Sequence, residues 1–186
     1  PVSEEEITAN FGLSDEGIIR RMVPEQQAEA AIQTYYEAYE TALAASSDPF
    51  PDIKRALDLL KARGIEMGIV TGKGSYTAHL TLKYLGLADY FNKVAAGNEH
   101  HNVKAAEIQK ILTAWQLEPS HAAYLGDADS DMIQSESVGV LPLAATWAET
   151  ATIHKLDSMT PFATFSSIPE FIDWLDENIP LLEHKD

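Results

Sequence analysis

Three carboxylates, Asp127, Asp129 and Asp131, fall within five residues, directly after the apolar run Tyr124-Leu125-Gly126. Like charges this close repel, so a cation, a helix N-terminus or water must offset the crowding. A calcium loop of the D-x-D-x-D-G kind is excluded: Met132 stands where it needs glycine, and Val138 where it needs a bidentate glutamate. The string "TGKGS" (71–75) hints at a nucleotide phosphate loop. G-x-x-x-x-G-K-[ST] needs four residues between its glycines, however, and three separate Gly68 from Gly72; Gly74 also replaces the hydroxyl residue. Asp127 and Asp131, one helical turn apart, could present hard oxygen ligands to one Mg2+. Read locally, the same string also allows a plainer account, in which Asp129 and Ser130 cap the helix that follows and Asp127 lies in a loop. The hydroxyl of Thr71 and the amide of Gly72 can donate to phosphoryl oxygens. Lys104 can neutralise charge shared by phosphate and carboxylates. Such a set suits phosphoryl transfer, where positioning and electrostatics dominate.

The elements that must hold these residues can be traced from hydrophobic periodicity. Residues 1–48 read as helical throughout. Ser3 with Glu6 fits a capping box, Ser14 caps a second helix, and Pro24 opens a third whose stripe is Ala28, Ile32, Tyr35, Tyr36, Tyr39 and Leu43. The helix fades at the linker "SSDPFPD". Beyond it the rhythm alternates. Ile53, Ala56, Leu57 and Leu60 mark a helix that Gly64 ends. Strands are expected at 65–71, 93–97, 121–127 and 138–144, with helices between them, including 103–116, whose inner side draws on Ala106, Ile108, Ile111, Leu112 and Trp115. A last helix at about 168–178 carries Ile168, Phe171, Ile172 and Leu175. Strands alternating with helices predict an α/β fold with a mostly parallel sheet. Ligands in such sheets bind at the carboxyl ends of strands, where Thr71 and Asp127 fall.

The chain has 186 residues and a net charge of −16, with 13 Lys+Arg against 29 Asp+Glu. That balance argues against nucleic acid as a partner. Residues 1–48 hold 10 acidic and 2 basic residues, so this segment is the more acidic per residue. No cysteine is present, which fits a reducing, cytoplasmic setting. No apolar run reaches the ~18 residues of a membrane span, and the N-terminal string does not read as a signal peptide.

Together these residues resemble the haloacid dehalogenase-like (HAD) hydrolases, in the phosphoglycolate-phosphatase and β-phosphoglucomutase-like branch with a helical cap. The resemblance runs over nearly the whole chain. "GDADSDM" matches the fourth family motif, G-D-x-x-x-D, and is the most specific signal. "IVTGK" resembles the second, a strand ending in Thr or Ser. Lys104 stands near the Lys of the third, although Ala105 follows where this branch often has proline. "NFGLSDEGIIRRMVP" resembles the cap segment. The resemblance implies a Rossmannoid three-layer core at 49–186 and a helical cap at 1–48. It implies Mg2+ at Asp127, with Asp131 coordinating or supporting it, phosphate contacts from Thr71 and Gly72, and charge stabilisation by Lys104. The implied reaction is hydrolysis of a small phosphomonoester through an aspartyl-phosphate.

One family motif is missing. D-x-D-G-[TS], which supplies the nucleophile, occurs nowhere in the sequence. The first core strand is therefore expected to be absent from this stretch (cleaved, disordered or omitted), and the chain alone to be nearly inactive. A phosphomutase and a non-catalytic binding protein of the same fold are the rival readings. Other residues have plainer roles. Lys73 is expected to face solvent. His100 and His101 suit a loop near the cleft rather than a metal pair. Tyr35, Tyr36 and Tyr39 suit helix packing, and Trp115, Trp147 and Trp174 anchor the core or its margin. Arg20 and Arg21 suit either a substrate's anionic end or a surface salt bridge. The sequence leaves oligomeric state open.

Overall fold

Local chemistry sets the helix ends. Ser14 accepts a hydrogen bond from the Gly17 amide and starts α1 (Asp15–Met22). Pro24 leads through a single 3-10 turn into α2 (Ala28–Ala45). This is a computed structural model, and it describes residues 12–45, 48–153 and 160–179; the capping box expected at Ser3 and Glu6 lies outside them. Next come α3 (Ile53–Ala62), β1 (Gly68–Val70), α4 (Ser75–Leu85), β2 (Lys93–Ala95) and α5 (Lys104–Trp115). They are followed by β3 (Ala123–Gly126), α6 (Asp129–Ser137), β4 (Leu141–Ala145), β5 (Ala163–Phe165) and α7 (Ile168–Asn178). The fold is α/β, and the strand pairings β1–β2, β3–β4 and β4–β5 are parallel.

All four expected strands are shorter than their runs, and two of them, β1 and β4, start late for one reason. After α3, Gly64 takes a left-handed conformation, and the amide of Ile65 turns back to the Leu60 carbonyl. Val140 turns back to Ser135 in the same way after α6, with Gly139 left-handed. Residues 65 and 138–140 are thus spent on closing helices and cannot join a ladder. The strand β5 was not legible in sequence, since three residues are too few to show alternation.

The chain divides into two compact units. The first takes Pro1–Pro49 and Met67–Lys104. In it β1 pairs with β2, Ile69 opposite Val94, and α2 packs on α4. Tyr36 and Tyr76 lie 4.3 Å apart between ring centroids, the Tyr39 hydroxyl is 2.8 Å from that of Thr81, and Tyr84 donates to Glu40. The tyrosine stripe of α2 is a packing surface with each polar tip satisfied.

The second unit takes Phe50–Glu66 and Ala105–Asp186. Its sheet runs β3-β4-β5. Ala56, Leu143, Phe165, Ile168, Phe171, Ile172 and Leu175 form its core, with Trp147 and Trp174 packed against it. The spacing i, i+3, i+4, i+7 along α7 places four of those residues on one face. Arg63, only 5% exposed, joins the two ends of this unit: its guanidinium donates to the Leu175 carbonyl and pairs with Asp176. On α5, Ile108, Ile111 and Leu112 are buried as expected, whereas Ala106 is exposed: it lies off the face those three share.

Candidate active site

Asp131 is the third residue of α6 and is 5% exposed. Its Oδ2 accepts hydrogen bonds from the amides of Asp127 and Ala128, each at 3.2 Å. Both donors belong to the turn between β3 and α6, so this side chain holds the turn closed and offsets its negative charge against the helix N-terminus. Gly126 makes room for that contact. A Cβ on Gly126 would lie 2.5 Å from the Asp131 Cβ and 2.6 Å from its Oδ2. The G-D-x-x-x-D spacing therefore has a local explanation: the strand must end in a residue without a side chain for the second aspartate to fold back over it.

Asp127 follows the strand directly and is exposed, and its carbonyl accepts from the Thr152 amide at 2.8 Å. Asp129 is the first residue of α6 and partly buried, less exposed than Asp127, and the N-cap is Ala128 rather than Asp129 or Ser130. Tyr124, on β3, reports on the pair. Its phenol is pushed well above the usual tyrosine range, first by burial, then by the charge of Asp131, then by that of Asp127. Two hard oxygen donors, one held rigid and one exposed, suit a small divalent cation whose other ligands are water or phosphate. Among the described residues no group of three or more His, Asp or Glu side chains converges, so protein ligands beyond this pair are not in evidence there.

In the first unit, Thr71 follows β1 directly, and its amide extends the pairing to the Ala95 carbonyl at 3.0 Å. Its Oγ1 accepts from the Lys73 amide at 3.2 Å. That bond uses a lone pair and leaves the hydroxyl proton to point elsewhere. Gly72 is exposed, with nothing within 4 Å of where a Cβ would sit. Lys104 is the first residue of α5 and partly buried, and its amide donates to the Asn102 side chain at 2.9 Å. Thr71 and Gly72 share one loop, and Asp127 and Asp131 share one turn.

Lys73 settles differently from its sequence-based expectation, whereas Arg20 and the histidine pair fall within theirs. Lys73 lies over the Tyr39 ring, 4.7 Å from its centroid, and is partly buried rather than solvent-facing. Arg20 forms ion pairs with Glu29 at 2.7 Å and Glu99 at 2.9 Å, and Arg21 donates to the His100 carbonyl. Of the two roles considered for Arg20, the salt bridge is the one present. His100 and His101 are exposed. Sequence reasoning missed Asp15 and Glu16, which no local motif singles out. Asp15 accepts from the Gly74 amide and the hydroxyls of Tyr35 and Thr77, and Glu16 accepts from Tyr36.

Comparison with known proteins agrees with this architecture. The family described as haloacid dehalogenase-like hydrolase matches residues 1–145. A phosphoglycolate phosphatase of Neisseria meningitidis is 26% identical over 149 residues, 78% of this chain and 63% of that protein. Another, of Aquifex aeolicus, is 23% identical over 175 residues, 93% of this chain and 80% of that protein. This chain therefore spans less than two thirds of the meningococcal relative. Among solved structures, a haloacid dehalogenase-like hydrolase of Streptococcus pneumoniae superposes with a TM-score of 0.71 at 24% identity, covering 94% of this chain and 83% of that one. With a match over residues 1–145 of 186, the chain belongs to the haloacid dehalogenase-like hydrolases.

Proposed function

We propose that this protein is a Mg2+-dependent phosphatase acting on a small phosphomonoester. The observation that carries the reading is the Asp127–Asp131 pair, whose second member is locked by two backbone amides while the first stays exposed. Asp127 and Asp131 would hold the cation, which when bound offsets negative charge on the phosphoryl oxygens. Thr71 and Gly72 would hold those oxygens through the hydroxyl and the backbone amide, and Lys104 would neutralise charge beside them. These roles amount to binding and orientation, the larger part of catalysis in phosphoryl transfer. The covalent step needs a carboxylate nucleophile, and D-x-D-G-[TS] is absent from these 186 residues. In this reading the aspartyl-phosphate forms on a residue outside this stretch. A small two-carbon or sugar phosphate is the substrate class suggested by the phosphoglycolate phosphatases among the relatives.

The test combines binding and turnover. Titration calorimetry of the 186-residue chain should show Mg2+ binding that Asp127→Asn weakens at least about tenfold, the effect of removing one charged ligand. A form carrying a D-x-D-G-[TS] segment ahead of residue 1 should hydrolyse p-nitrophenyl phosphate and a panel of small phosphates with Mg2+, and lose at least about 100-fold in rate with Asp127→Asn. Turnover unaffected by Asp127→Asn, or no turnover in that longer form, overturns the proposal. Net transfer within one sugar, without release of phosphate, would establish a mutase instead.

A further inference from the structure

The loop after β1 is held from several directions, and two of the anchors come from α1 and α2. The Lys73 carbonyl accepts from the Gly97 amide at 2.7 Å, and Gly97 packs so closely on the Gly72 carbonyl that a Cβ there would collide with it. The Gly74 amide donates to Asp15 Oδ2 at 3.1 Å, the Thr77 hydroxyl donates to the same oxygen, and Tyr35 donates to Oδ1 at 3.0 Å. Lys73 rests on Tyr39. Gly74 is the N-cap of α4 and has no side chain with which to cap it. Asp15, from α1, instead accepts from the N-cap amide itself, the donor that an N3 carboxylate takes in a capping box. Tyr35 remains a donor because burial, and then the Asp15 charge, raise its ionisation well above the usual tyrosine range.

We propose that Asp15 is a positioning residue for the loop of Thr71 and Gly72: its carboxylate fixes Gly74 and Thr77, and the backbone between carries that constraint through Lys73 to the Thr71 hydroxyl. The chain of contacts is continuous. Asp15 holds Gly74, Gly74 is bonded to Lys73, and the Lys73 amide donates to Thr71 Oγ1. Each bond removes one freedom from a segment whose glycines at 72 and 74 would otherwise leave it loose. The proposal rests on the reading that Thr71 and Gly72 hold phosphate, but its contact chain can be tested without it.

The experiment follows backbone amides of the 186-residue chain by NMR, with inorganic phosphate as the probe. In Asp15→Ala, amide exchange at Lys73 and Gly74 should accelerate about tenfold or more, and phosphate binding should weaken about tenfold, the loss of one charge-assisted hydrogen bond. Asp15→Asn should restore both, since its oxygen can accept from Gly74 and Thr77 while its amide donates to Tyr35. Thr77→Val, close in shape, should give a smaller loss of both and serves if Asp15→Ala does not fold. Unchanged exchange and affinity in a folded Asp15→Ala or Thr77→Val overturn the proposal, as does Asp15→Asn that regains melting temperature but not phosphate affinity. If the unsubstituted chain binds no phosphate, the phosphatase reading fails. Exchange at Lys73 and Gly74 then decides the positioning claim alone, faster in Asp15→Ala upholding it and unchanged overturning it.

Discussion

Gly126 and Asp131 depend on each other, and that dependence separates two kinds of aspartate. Asp131 is buried and bonded to two amides, while Asp127 is exposed. Asp131→Ala should therefore cost about 1–2 kcal/mol of stability, as the loss of a helix cap does, whereas Asp127→Asn should leave stability within about 0.5 kcal/mol. Gly126→Ala should resemble Asp131→Ala because the added methyl collides with the Asp131 side chain; overpacking of this kind costs about 1–3 kcal/mol. Urea unfolding of the three variants checks the order. Equal losses for Asp127→Asn and Asp131→Ala would mean the turn is not held as described. The motif's types and spacing were readable in the sequence, but the structural share carried by each carboxylate was not, because it depends on which side chain folds back over the strand.

Four helices, α3, α4, α5 and α6, end in the same way, with an amide turning back across a left-handed residue. That residue is Gly64, Gly86 and Gly139 in three of them and Gln116 in α5. A side chain in this conformation costs roughly 1–2 kcal/mol relative to glycine, partly offset by glycine's larger entropy loss. Gln116→Gly should thus raise stability by about 0.5–1 kcal/mol, read as a higher urea midpoint with unchanged slope; a lower midpoint would show Gln116 engaged elsewhere. The element level was also the most legible from sequence. The helix at 168–178 matched to the residue, because an amphipathic face and a Ser-Ile-Pro start coincide there. Strand limits at 65 and 138 failed because apolar residues serve equally well in a strand and in closing a helix. The cradle around Asp15 was illegible for another reason: its members, Tyr35, Gly74 and Thr77, come from three places in the chain, and no local pattern marks them.

At the scale of the whole molecule, a net charge of −16 repels itself in the folded state. Raising NaCl from about 10 to 200 mM shortens the screening length from roughly 30 to under 10 Å. The melting temperature should rise, each kcal/mol recovered adding roughly 2–4 °C. A flat or falling melting temperature would show that local ion pairs such as Arg20 with Glu29 and Glu99 outweigh the general repulsion. The alternation of strands and helices announced the fold class, while the division into two units, each built from separated stretches, could not be read linearly. That division bears on how the protein is made. All residues of the first unit have been synthesised once Lys104 is joined, but the second must wait, because Arg63 and Leu175 are 112 residues apart. At about 5–20 residues per second on the ribosome, that is a delay of roughly 6–20 s. During this time the guanidinium of Arg63 lacks the helix end it will later close. Nascent chains stalled once Lys104 has cleared the ribosomal exit tunnel, but before Leu175 has, should therefore already protect the first unit from proteolysis while Arg63 and its helix remain cleavable.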